Sequence, residues 1–158
     1  MQMNPKYYYD SFVKPNYDEF CDDEGSIRKA FNAILSLFHM TDNYFNYYKR
    51  RGDPRVALFG ELKDFQKHMD GITPYFNDVQ SMANAYKHLY ANSGKAHVTV
   101  ASGGAVYVEE ISENDTSLDN INFGGSVYTV YYLKKDGNSM PVMDALSGMI
   151  KAWKNLLQ

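Results

Sequence analysis

The chain reads as an α+β protein: an N-terminal three-helix bundle, then a three-stranded antiparallel sheet, then a C-terminal helix. Three observations predict this. Apolar residues recur at helical spacing from about residue 26 to residue 90. After Gly94 the spacing shortens to alternation, with β-branched and aromatic residues in short runs. Beyond Asn138 the helical period returns and lasts to the end. At 158 residues the chain is read as one domain, residues 1–158, large enough to bury a core without staples. Within it the parts are an irregular arm (1–24), a helical part (25–92), a β-meander (95–135) and a last helix (139–158).

The arm is read as irregular because Pro5 and Pro15 punctuate it and an acidic run closes it. Its Tyr7, Tyr8, Phe12, Tyr17 and Phe20 are expected to cover a groove between helices. The first long helix starts after Gly25, with Ser26 as N-cap and acidic residues where the helix dipole favours them. Its stripe is Ile27, Ala30, Phe31, Ile34, Leu35, Phe38, Tyr44 or Phe45, and Tyr48. Lys49, Arg50 and Arg51 complement the dipole at its end, and Gly52-Asp53-Pro54 stops it. Asn32, His39, Asp42, Asn43 and Asn46 are its polar members, and the three-residue step from His39 puts Asp42 on the same face.

The second helix is expected over residues 54–69, with Gly60 a weak point in its first turns. Asp70-Gly71 reads as a turn, and Thr73-Pro74 as the capped start of a third helix running to Tyr90. Its stripe is Phe76, Val79, Met82 or Ala83, Tyr86, Leu89 and Tyr90. Short connections favour antiparallel packing of the three. Strands are then expected over residues 98–101, 105–111 and 126–134, and Asp136-Gly137-Asn138 closes the last. A cap at Asn138 or Ser139 opens the final helix, striped by Val142, Leu146, Met149, Ile150, Trp153 and Leu156 or Leu157. Trp153 is read as core or interface rather than ligand-binding.

Composition narrows the functional classes. A net charge of −3 does not suggest a basic nucleic-acid binder or a polybasic membrane surface. One cysteine excludes an internal disulfide or a thiolate cluster. No basic-then-apolar leader is read, and no apolar run approaches the ~20 residues that span a bilayer, so a cytoplasmic location is expected. Neither GxGxxG nor a P-loop occurs, and there is no HExxH or ExxH pair, so no cofactor and no metal are expected. The 14 tyrosines suit a binding surface, because Tyr buries a ring while keeping a polar end wet.

The densest polar cluster is Asn84, Lys87 and His88, at the end of the third helix. A base, a positive charge and a polar side chain there are the candidate catalytic residues. Lys95 and His97 follow it. If the first and third helices run antiparallel, however, His88 lies near the start of the first helix, away from the basic Lys49–Arg51 end.

A Tyr- and Phe-rich helical bundle whose late helix ends in a polar–His cluster resembles the HEPN group, many of whose members are RNases of toxin and anti-phage systems. That signature is an Arg, four to six residues, then a His, often with a polar residue directly after the Arg. Here Asn84 matches the polar residue and His88 the His, over about residues 26–92. The Arg position falls on Ala83, so the resemblance implies an inactive binder or antitoxin-like relative as readily as an RNase. The leading expectation is a non-catalytic binding or assembly protein, with a protein partner or self-association as a homodimer. An RNA-binding protein or ribonuclease using His88 is the alternative.

Overall fold

The computed structural model describes residues 3–87, 106–111 and 127–158. It is mixed helix and antiparallel sheet, rich in helix and ending in a helix. The expected strand over 98–101, the loop over 112–122 and the residues from His88 to His97 lie outside the described residues.

Residues 5–21 correct the irregular arm: they are helical. Helix α1 (Pro5–Tyr8) has Asn4 as N-cap, whose side chain accepts from the Tyr7 amide at 2.8 Å, and Pro5 takes the first turn. A π-helical segment (Tyr9–Val13) leads directly into α2 (Lys14–Cys21). Both prolines therefore sit where a helix tolerates them. Pro5 loses only an amide that has no partner in a first turn, and the widened π turn precedes Pro15. Tyr9, Val13 and Phe20 face the core.

Helix α3 (Ile27–Lys49) is the spine. Ser26 caps it, accepting from the Lys29 amide, and Gly52 follows its end at φ 64°, a left-handed conformation that Gly adopts without strain. Its buried face is Ala30, Ala33, Ile34, Leu37, Met40, Thr41, Tyr44 and Phe45. The expected stripe is rotated from this: Phe31, Leu35 and Phe38 are half-buried at the border, and Ile27 is exposed. Large side chains misled the reading, because small Ala30 and Ala33 let neighbouring helices approach closely.

The second expected helix is divided. Residues Pro54–Val56 form a 3₁₀ turn, Leu58 is almost fully exposed, and α4 runs from Leu62 to Ile72. Its start is set by Asp64, whose carboxylate accepts from the Gly60 and Glu61 amides at 3.0 and 3.1 Å. Asp70 and Gly71 lie in its last turn instead of ending it. Helix α5 (Phe76–Lys87) begins after a Thr73-Pro74 turn, with Phe76, Val79, Met82 and Ala83 buried as expected.

Strands β1 (Val106–Ile111) and β2 (Val127–Leu133) pair antiparallel, Val108 opposite Val130. Strand β3 (Ser139–Pro141) pairs with the other edge of β2, Leu133 opposite Ser139. Ser139, an expected helix cap, and Pro141, expected near the start of the last helix, thus lie in a strand. A Pro at a sheet edge needs no ladder donor, so Pro141 ends the strand and opens α6 (Val142–Leu156) directly. Gly137, at φ 86°, makes the β2–β3 turn. Val130 and Tyr132 turn inward from β2, and past the end of β3 the Val130 amide donates to the Glu24 carbonyl at 2.9 Å.

One continuous apolar cluster joins these parts, from Tyr9 through α3, α4, α5 and β2 to Trp153. Tyr44 stacks on Phe65 at 5.5 Å and meets Trp153 at the same separation. Trp153 is fully buried, as expected of a core residue. Burying each such side chain contributes about 1.5–3 kcal/mol, so this aromatic group fixes how α3 sits against α4 and α6.

Candidate binding pocket

The face of α3 opposite its core turn carries His39, Asp42, Asn43, Asn46, Tyr47 and Arg50. Steps of three and four residues place them in one polar stripe. Along this stripe lies a cavity of about 630 Å³, lined by Asp42, Asn43, Asn46, Tyr47, Arg50 and Arg51, with Met3 from the approach to α1 at its rim.

One end of the cavity is rich in acceptors. Asp42 is half-buried, and burial pushes its carboxyl above the usual carboxylate range, an effect His39 partly offsets. His39 Nδ1 stands 3.8 Å from Asp42 Oδ2, an ion pair when His39 is protonated. Asp42 Oδ1 is occluded and has no hydrogen-bond partner among the described residues, and the same holds for Asn43 Oδ1. Asn46 donates its amide to the Asp42 carbonyl at 2.9 Å, within the helix.

The other end is cationic. Arg51 is committed locally: its Nη1 donates to the Tyr47 carbonyl at 2.9 Å and its guanidinium lies 3.6 Å over the Tyr47 ring. Arg55 lies 4.4 Å over the Tyr48 ring in the same manner and approaches Asp53 at 3.8 Å. Arg50, which lines the cavity, makes no side-chain hydrogen bond or ion pair among the described residues. A partly desolvated carboxylate and a guanidinium uncommitted among the described residues therefore share one cavity, about two turns of helix apart.

The candidate catalytic cluster is only partly in view. Asn84 is exposed on α5, Lys87 is the last residue of that helix, and His88 lies outside the described residues. Ala83, at the position of the Arg in the HEPN signature, is 2% exposed and turned into the core. His68 packs beside Phe59 at 4.9 Å, an aromatic contact. Among the described residues no three His, Cys, Asp or Glu side chains are grouped to hold a metal, and no helix is long and apolar enough to cross a membrane.

The sequence already singled out His39, Asp42, Asn43 and Asn46. It missed Tyr47 and Arg50, having assigned the basic residues to the helix dipole. Extending the polar stripe by one more turn, from Asn46 to Arg50, is the signal that finds them. No family model matches the chain, and no curated protein or solved structure matches it.

Proposed function

We propose that this chain is a non-catalytic binding protein whose ligand site is the cavity along the second half of α3. One observation carries the reading: Asp42 and Asn43, whose occluded Oδ1 atoms lack donors among the described residues, line the same cavity as Arg50, which has no anionic partner there. Leaving a buried acceptor unmade costs about 1–3 kcal/mol. A ligand that supplies donors at one end and negative charge at the other offsets that cost. The terminal torsions of Asp and Asn are broad, so a modest rotation turns either acceptor into the cavity. Helices α3, α4 and α5 then serve as the three-helix scaffold that presents the stripe, with α2 and α6 covering its apolar side.

The test is thermal unfolding of the full chain against a panel of small polar metabolites, with Asp42→Asn and Arg50→Ala beside the native protein. A member of the panel should raise the native midpoint and leave both variants unmoved. Equal stabilisation of all three proteins would place binding elsewhere.

A second reading, an RNA-directed HEPN-like protein acting through Asn84, Lys87 and His88, is favoured by the exposure of Asn84 near the end of α5. It ranks below the first because Ala83 brings no positive charge beside Asn84 and points inward.

A further inference from the structure

We infer that the ligand of the α3 cavity is a zwitterion, a free basic amino acid with a guanidino or ammonium group at one end and a carboxylate at the other. This rests on the binding reading above and adds the ligand's class. Asp42 and Arg50 are eight residues apart, about 12 Å along the axis at 1.5 Å per residue. Both residues line the same cavity. That separation suits a chain of several atoms between two charges and is too long for an inorganic ion to bridge.

Charge decides between the candidates. Asp42 is a partly desolvated carboxylate whose Oδ1 has no donor, while His39 approaches the other oxygen. A cationic or N–H-rich group satisfies that oxygen together with Asn43 Oδ1. Arg50 then takes a carboxylate, which its planar fork matches with two parallel hydrogen bonds. A simple anion would use Arg50 and leave the acceptor end unmet; a simple cation would do the reverse. Arg51, held on the Tyr47 ring, closes that end of the cavity without competing for the same charge.

Titration calorimetry on the full chain tests this with L-arginine and L-lysine as probes. Agmatine, which lacks the carboxylate, hexanoate, which lacks the cation, and inorganic phosphate are the single-ended comparisons. At least one amino acid should bind tenfold or more tightly than every single-ended probe. Asp42→Asn should weaken that amino acid at least tenfold without changing hexanoate, and Arg50→Ala should weaken it without changing agmatine. Circular dichroism of both variants establishes that they are folded. Agmatine or phosphate binding as tightly as the amino acids would overturn the assignment, and so would no heat from either amino acid. The underlying binding reading has its own readout: it fails if a fragment screen followed by NMR leaves the Asp42, Asn43 and Arg50 amide signals unmoved.

Discussion

The Tyr132 hydroxyl donates to Asp78 Oδ2 at 2.7 Å, and this bond ties the middle strand of the sheet to α5. Both residues are buried, and Lys134 Nζ lies 3.7 Å from the same carboxylate oxygen. A carboxylate in the core is tolerated because it is paired on the spot. Tyr132→Phe removes the donor and leaves Lys134 as partial compensation, so denaturant unfolding should show a loss of about 1–3 kcal/mol. Burial first, then the Asp78 bond and charge, raise the Tyr132 hydroxyl well above its ordinary value of 10.0. Its contribution is thus complete below 10.0 and declines as pH rises beyond it, where the unfolded chain releases a proton that the folded chain keeps. The native protein should lose stability in that alkaline range more steeply than Tyr132→Phe; parallel curves would refute the assignment.

Asp42 has the corresponding sign for a raised carboxyl. Its protonated form is favoured by the fold, so its contribution is greatest below the usual carboxylate range and falls as pH rises through the raised value. His39 and the nearby Tyr8 hydroxyl are the titratable groups beside it. Asp42→Asn should therefore raise the unfolding midpoint slightly at pH 7, the gain held small by solvent screening of a partly exposed group. The same substitution should abolish ligand-induced stabilisation. A binding site maintained at a cost to stability predicts these opposite effects.

Two glycines are contact points rather than hinges. A Cβ on Gly25 would stand 2.6 Å from Tyr128 Cβ and 3.0 Å from the Tyr128 carbonyl oxygen, and one on Gly148 would stand 2.2 Å from the Tyr75 ring. Gly25→Ala and Gly148→Ala should each cost about 1–3 kcal/mol by overpacking. Combining Gly148→Ala with Tyr75→Ala should cost less than the sum of the single changes, since the clash disappears with the ring. Additive losses would mean that Tyr75 does not set the Gly148 requirement.

For RNA, incubation of a labelled single-stranded oligomer with native protein and with His88→Ala should give identical traces without cleavage. Cleavage by the native protein that His88→Ala removes would reverse the ranking of the two functional readings.

Helix α3 was legible because its cap, its period and its stop agree: Ser26, the 3.6-residue spacing and Gly52 all point to one helix. The same was true of β2, whose β-branched and aromatic residues admit few alternatives. The helical N-terminus was not, because Pro5 and Pro15 signal breaks unless their place in the turn is known. Three-residue β3 is too short to show any period, and its partner register exists only once β2 is folded. Half of the cavity stripe was visible as polar residues on a helix otherwise apolar. Its cationic half was hidden because an Arg at a helix end has a sufficient local explanation.

The Glu24–Val130 hydrogen bond joins a loop near the start of the chain to the central strand near its end. It occupies the β2 edge at Val130, the first residue beyond the reach of β3, which pairs only with Tyr131, Tyr132 and Leu133. The loop before α3 thus acts as an edge guard: removing it would leave the Val130 amide open to pairing with another chain. Truncation through Glu24 should consequently expose this strand edge as well as remove the core residues Tyr9, Val13 and Phe20, so that lost stability and strand-edge aggregation appear together.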